Sequence, residues 1–491
     1  MKRILVPSVL VFLASSVLAD DVLFLTATST NRQNVIEFMN PTTGNYELTR
    51  VIGRRDRFAS SPNEFGTPPL FVVDFTGTPG GKGAVPQTGL TNGQTYFYSV
   101  FVFDGRGWAE GRHIKAAPVD TVNTPIRWRF ATRAGATLMS PPGIGSVLLV
   151  ISNDKTLYPL ERGAGLLGGR WASGALPSFL SDVSYHRPPV IPPTGPFADN
   201  SVTFISTQDG ILHCFNAETG APLWESPDFG MITGAPVGWF SAFAQAALDR
   251  VYVGSRNAGE RNQFHAIDMA DGQPVWSFDD PNGIGIIPGS ASIDYARGAV
   301  YFASHEFAAA ADTVWAVDLA TGDKIWSTPV GPVSGSPVQR RLNLYVGTDS
   351  GLVYALDVRD GTVKPNFPFD TGSASPIKGF IFPNHAGTEL YFSTQSTVRR
   401  IRDRGTDVAV DWAKEVPGAS IPTYPPGGDF VWVGSSDGGL YQLAALTGAS
   451  TSVPLTSGPT PGIGNPSFDL FHGLIYVGTE DGAVFAVAAP Y

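Results

Sequence analysis

A single cysteine, Cys214, stands in 491 residues, so no disulfide framework holds this fold together. Charge is scarce, at 15% of residues, and 33 Lys and Arg are outnumbered by 43 Asp and Glu, for a net charge of -10. That balance disfavours nonspecific binding to nucleic acid or anionic lipid, because no basic field offsets phosphate repulsion. No stretch approaches ~18 uninterrupted apolar residues, which leaves no candidate transmembrane segment. Turn and core material are abundant together: 56 Gly and 40 Pro beside 31 Phe, 15 Tyr and 10 Trp. Frequent turn formers break long helices while the aromatics supply a core, so the composition predicts an all-β chain of many short strands.

The amino end reads Met1, Lys2, Arg3, an apolar run from Ile4 to Val17, then Val17-Leu18-Ala19 ahead of Asp20 and Asp21. A basic start, a short apolar core and small residues at the junction make residues 1–19 a signal peptide cleaved after Ala19. The mature chain is expected in the periplasm or outside the cell. It carries no lipid anchor, because Cys214 lies far from the cleavage site, and Cys214 itself is expected as a small buried apolar residue.

Self-similarity dominates the rest. Strands that run into a tight turn recur as RVYVGSRNAG from Arg250, NLYVGTDSG from Asn343, FVWVGSSDGG from Phe430 and LIYVGTEDG from Leu474. Weaker copies begin at Val147, Val202, Ala299 and Glu389, which makes eight copies at roughly the spacing of one four-stranded propeller blade. A second strand and turn follow each copy, as in FHAIDMADGQPVW ending at Trp276 and VWAVDLATGDKIW ending at Trp326. Alternation puts Ala266, Ala316 and Ala355 on one face, and Gly220, Gly272, Gly322 and Gly361 supply the positive φ of the turn.

These residues resemble the PQQ-like β-propeller repeat, whose signature is Ala-x-Asp-x-x-Thr-Gly followed by Trp four residues after the Gly. The resemblance covers residues 123–491 and implies an eight-bladed β-propeller. In that family the Trp stacks on the Ala of its own motif and on a glycine peptide of the next blade. The implied blade-docking residues are Trp171, Trp224, Trp276 and Trp326, with Ala266, Ala316, Ala355, Gly220, Gly272 and Gly322. The fifth and seventh copies depart, with Pro365 and Ser452 near the Trp positions. The last copy has no Trp-bearing outer strand, and Ile126–Thr132, which contains Trp128, is expected to supply it and close the ring.

Residues 20–120 lack the repeat but hold alternating β-rich runs, which predict an immunoglobulin-like sandwich. Leu90-Thr91-Asn92-Gly93-Gln94-Thr95-Tyr96 resembles the tyrosine-corner turn of a fibronectin type III domain, with Phe38 where that family carries a core Trp. Ala117 to Thr124 reads as a linker.

Some propellers with these repeats hold pyrroloquinoline quinone and calcium as alcohol dehydrogenases. Those enzymes carry an adjacent Cys pair over the cofactor, which one cysteine cannot supply. About 369 residues over eight copies leave about 46 each, with little chain to build a pocket. No cofactor, metal or catalytic residue is therefore expected, and a compact PQQ-dependent oxidoreductase is the alternative. Gly434-Ser435-Ser436-Asp437-Gly438 mimics a nucleophile elbow but falls in a repeat hairpin. Asp370-Thr371-Gly372 has no second copy to pair with, and His305-Glu306 lacks a zinc helix. His213 and His265 share a register with Trp315 and Tyr354, a packing pattern rather than a ligand pair.

The sixth copy reads TVRRIRDRG from Thr397, and aligns Arg400, Ile401 and Arg402 with Tyr354, Ala355 and Leu356. Arg399, Arg400, Arg402 and Arg404 form a candidate basic patch for an acidic protein partner. The expected function is that of an exported, non-catalytic binding scaffold in the bacterial cell envelope or outside it. An accessory role in outer-membrane protein assembly, as in the compact BamB-like propellers, is a further alternative.

Overall fold

Each repeat pairs an apolar strand with a second strand across a turn built from Asx and Gly, which is the chemistry of an antiparallel meander. A computed structural model describes residues 20–42, 44–64, 71–133, 136–137, 147–168, 170–178, 180–186, 201–239, 249–308, 311–425, 427–456 and 462–491. Every regular element among them is a β-strand. The signal peptide and its cleavage after Ala19 lie outside the described residues. The chain divides into two units, one of Met1–Thr26, Val35–Gln87 and Thr95–Ala116, the other of Ala27–Asn34, Thr88–Gln94 and Ala117–Tyr491.

Gln33–Met39, whose first two residues belong to the second unit, pairs with Lys82–Gln87, while a sheet within the first unit runs in the order Phe71–Phe75, Leu48–Arg54, Tyr96–Phe103, Arg112–Ala116. Phe38 is fully buried and meets Phe75 edge-on at 5.4 Å. Gly83 leaves room for it, since a Cβ there would sit 2.4 Å from the Phe38 ring. Tyr96 is 2% exposed.

The second unit holds eight sheets among the described residues. The first is Ala136–Thr137, Val147–Ser152 and Leu157–Glu161; the second is Leu180–His186, Val202–Thr207, Leu212–Asn216 and Pro222–Glu225. The third is Val237–Trp239, Arg250–Gly254, Phe264–Asp268 and Pro274–Phe278; the fourth is Ser292–Asp294, Ala299–Ala303, Val314–Asp318 and Lys324–Thr328. The fifth is Val338–Arg340, Asn343–Gly347, Leu352–Asp357 and Phe369–Asp370; the sixth is Phe382–Pro383, Glu389–Ser393, Thr397–Asp403 and Val408–Glu415. The seventh is Phe430–Gly434, Gly439–Ala444 and Ser450–Pro454. The eighth joins Ser467–Asp469, Leu474–Gly478 and Ala483–Ala488 to Ile126–Thr132, with Ala486 opposite Trp128.

Each of the eight sequence copies is thus the strand before the motif strand of its sheet. The third sheet shows why the motif turns where it does: Asp268 Oδ1 accepts from Ala270 N at 2.8 Å, Gly272 N donates to Asp268 O at 2.9 Å, and Gly272 takes φ 74°. The same Asx turn recurs at Asn216 and Asp318. Successive sheets share apolar layers; Tyr301, Ala316 and Trp326 of the fourth pack with Leu344, Val346 and Leu356 of the fifth.

Candidate functional site

The joints between sheets bring most of the sequence-derived residues together. Trp224 pairs with Cys214, Trp276 with Ala266 and Trp326 with Ala316 across their own sheets. Each ring then lies against a glycine of the next sheet. A Cβ on Gly220 would sit 2.4 Å from Trp171, on Gly272 2.5 Å from Trp224, on Gly322 2.6 Å from Trp276 and on Gly361 2.5 Å from Trp326. Two further joints use Trp128 against Gly165 and Trp412 against Gly448, at 2.4 and 2.9 Å by the same measure. The indoles are fixed by hydrogen bonds to the facing turn: Trp171 Nε1 donates to Ala217 O at 2.9 Å, Trp224 to Met269 O at 2.8 Å, Trp326 to Val358 O at 3.0 Å and Trp412 to Ala445 O at 2.9 Å.

Sequence reasoning missed a second set of crossing groups, the tyrosines of the strands that precede the motif strands, although their recurrence was visible. Tyr252 OH donates to Leu319 O at 2.8 Å, Tyr301 OH to Val358 O at 3.3 Å and Tyr476 OH to Arg162 O at 3.3 Å. Val358 O accepts from both Trp326 and Tyr301, whereas at the third joint only Tyr252 reaches the carbonyl and Trp276 Nε1 is buried without a partner.

Two joints have no Trp. Beyond Ala355 the fifth sheet keeps only a single bridge, Leu356 to Val363, before Pro365, and Asn366 Nδ2 donates to Gly405 O at 3.0 Å in place of an indole. In the seventh sheet the residue opposite the motif position Gln442 is Thr451, with Ser452 opposite Tyr441, so the departure falls one residue earlier than the sequence placed it.

The arginines are where the structure differs most from the sequence reading. Tyr391 faces Arg400 as Tyr345 faces Ala355, so Arg400 replaces the motif alanine, Ile401 replaces Leu356 and Arg402 replaces Asp357. A one-residue slip reverses every face of a strand, and here it takes Arg400 from the surface to the core. Arg400 is 1% exposed and sits between Glu389 Oε1 at 2.6 Å and Asp411 Oδ2 at 3.3 Å. It also crosses to the seventh sheet, donating to Leu446 O at 3.0 Å. Arg402 shares both carboxylates, Arg399 turns the other way to Thr371 O at 2.8 Å, and Arg404 stands exposed near Asp407. The four do not present one charged surface, because neighbours along a strand point to opposite faces.

The segments just ahead of the first strands of successive sheets form another contact line. A Cβ on Gly234 would lie 2.4 Å from Gly289 O, on Gly289 2.4 Å from Gly335 O and on Gly335 2.2 Å from Gly379 O. Ala235 N donates to Ser290 Oγ and Ser290 N to Ser336 Oγ, both at 2.9 Å, and Ser336 N to Gly379 O at 3.0 Å. The spaced Gly-Ala and Gly-Ser pairs were the available signal. On nearby connections His305 Nε2 lies 3.0 Å from Ser334 Oγ, which donates to Asp349 Oδ2 at 2.9 Å.

His213 and His265 sit on separate sheets with separate partners, Glu225 Oε1 at 3.1 Å and Ser277 Oγ at 2.8 Å. Both Nε2 atoms are buried and unpartnered. Burial holds His265 down to about 4. The Cys214 thiol is fully buried and pushed well above its ordinary range. Ser436 lies in the turn between Phe430–Gly434 and Gly439–Ala444, as its register predicted.

Residues 208–452 match the family described as outer membrane protein assembly factor BamB. No curated protein matches the chain. Among solved structures it is similar to the computationally designed Ika8 protein, at 14% identity and a TM-score of 0.53 over 72% of this chain and 96% of that one. It is similar to BamB from Moraxella catarrhalis, at 18% identity and a TM-score of 0.52 over 72% and 94%. The quinohemoprotein alcohol dehydrogenase from Comamonas testosteroni is similar at 15% identity, with a TM-score of 0.51 over 72% and 74%. The family match and these likenesses support a PQQ-like β-propeller fold for the repeat region. No helix among the described residues is long and apolar enough to cross a membrane.

Proposed function

We propose that the chain is an exported, non-catalytic scaffold: an eight-bladed PQQ-like propeller behind a fibronectin type III-like sandwich, binding a protein partner in the bacterial cell envelope or outside the cell. The observation that carries this reading is how the segments just ahead of these first strands use their polar groups. The amides of Ala235, Ser290 and Ser336 are committed to neighbouring sheets, and the glycine backbones beside them touch. A multiply anionic quinone needs convergent donors, and these donors already have acceptors. The eight sheets, with Ile126–Thr132 completing the last, support the blade number. The four-stranded sheet of the first unit and the edge-on packing of Phe38 on Phe75 support the sandwich.

The match to a family described as an assembly factor favours, as a second reading, an accessory role in outer-membrane protein assembly. Calorimetric titration of the mature chain with pyrroloquinoline quinone and calcium, followed by dye reduction with alcohols and sugars, tests the scaffold reading. No heat of binding and no turnover is the expected result; stoichiometric binding with turnover overturns it. Cross-linking in intact cells, with the captured protein identified by mass spectrometry, then separates an assembly partner from any other.

A further inference from the structure

The joint between the seventh and eighth sheets is built from different parts than the rest. Thr451 stands where the repeat carries Trp, and Gln442 where it carries Ala. The sixth sheet keeps its indole, Trp412, opposite the long side chain of Arg400, whereas here the side-chain amide of Gln442 has no indole opposite it. The gap is filled from the opposite direction, by the segment Ala489–Tyr491 that follows strand Ala483–Ala488 of the eighth sheet.

Tyr491 N donates to Gln442 Oε1 at 3.0 Å while Gln442 Nε2 donates to Tyr491 O at 2.8 Å. One side-chain amide thus reads the N–H and C=O of one residue, as a neighbouring strand would. Tyr491 OH donates to Leu440 O at 2.7 Å, and its ring packs in a cluster with Trp432, Leu440, Val453, Leu455 and Phe468. The reading amide is held in place, for Trp432 Nε1 donates to Gln442 Oε1 at 3.2 Å and Trp432 stacks on Phe468 at 5.1 Å. A backbone clamp beside an aromatic pocket with an acceptor at its floor is a peptide-recognition arrangement.

We propose that this slot is a binding site for a peptide segment bearing a tyrosine, occupied in cis by Ala489–Tyr491, which latches the eighth sheet to the seventh. A three-residue contact is weak alone and is filled because its own chain supplies a high local concentration. A peptide therefore binds in trans only when the cis tyrosine is removed.

The test uses the full chain, its Tyr491→Ala variant and the peptide Ala-Val-Ala-Ala-Pro-Tyr at millimolar concentration, read by thermal unfolding. The expected result is a lower Tm for the variant, raised by the peptide, with no response from the unaltered chain. A peptide ending in Ala, the reversed sequence, and the variant that also carries Gln442→Ala give no shift. Equal shifts for both chains, an equal response to the Ala-ended peptide, or no response from a folded variant overturn the proposal. Where Tyr491→Ala does not fold, hydrogen exchange of Gln442→Ala decides: the Tyr491 amide loses at least tenfold protection while Leu474–Gly478 keeps its own. Unchanged protection at Tyr491 overturns the proposal as well.

Discussion

Substituting Gly272 with Ala isolates what one joint contributes. Gly272 has φ 74°, and an added Cβ would meet the Trp224 ring at 2.5 Å. The left-handed backbone alone costs a β-carbon about 1–2 kcal/mol. Displacing Trp224 also strips a large ring of its packing and its bond to Met269 O, roughly another 2–4 kcal/mol. Gly259 is the internal control, since it lies in the same sheet region with φ 77° and nothing within 4 Å of its Cβ position. Gly259→Ala should therefore cost only the backbone part, about 1–2 kcal/mol. Equilibrium urea unfolding followed by tryptophan fluorescence measures both. Because repeat sheets couple mainly to their neighbours, Gly272→Ala should also broaden the transition while Gly259→Ala does not. Equal losses from the two substitutions would refute the joint as a source of stability.

Arg400→Ala leaves Glu389 and Asp411 without their buried partner and should cost about 3–5 kcal/mol; adding Glu389→Gln should recover part of it, and strict additivity in the double-mutant cycle rejects the coupling. His265 is held down to about 4 in the fold against about 6.5 unfolded, so its contribution is complete above pH 6.5 and is lost as pH falls towards 4. That amounts to roughly 3 kcal/mol, and His265→Phe should flatten this acid limb in urea midpoints taken at pH 7 and 4.5; parallel pH profiles contradict it. Tyr252→Phe leaves Leu319 O to the buried, unpartnered Trp276 Nε1 and should cost no more than about 0.5 kcal/mol, whereas Tyr476→Phe also strips buried Asp469 Oδ2 of a donor at 3.0 Å and should cost about 1 kcal/mol.

The repeat made the fold legible. Tyr-Val-Gly strands and Asp-x-x-Thr-Gly turns state strand and hairpin in one unit, and the family resemblance they carry implies a Trp set against the Gly of the next blade. What failed was local register where the unit is broken. TVRRIRDRG lacks both the motif Ala and the motif Gly, and with arginines on both faces the strand offers no apolar alternation to fix its parity. Only the carboxylates of Glu389 and Asp411, distant in sequence, show that Arg400 points inward. Tyr491 was illegible for a related reason: its partner Gln442 looks like an ordinary polar substitution until the missing Trp at Thr451 is set opposite it. The contact line at Gly234, Gly289 and Gly335 was visible as spaced glycines, but glycines are too common here for spacing to distinguish a close approach from a turn.

The broken joints also have a physical logic. In an array of interchangeable joints any Trp fits any Gly, so sheets can pair out of order or between chains with nearly the same energy. The joint of the seventh and eighth sheets removes that freedom, since Gln442 needs Tyr491. The Gln442 amide is satisfied at this joint and would be a buried, unpaired polar group at any other. Restoring the repeat residues by Gln442→Ala and Thr451→Trp should therefore lower the fraction refolding as monomer. Size-exclusion chromatography after dilution from urea measures it, with oligomers rising with chain concentration as sheets exchange between molecules. An unchanged monomer yield across a tenfold concentration range would mean that the repeats alone determine which sheet meets which.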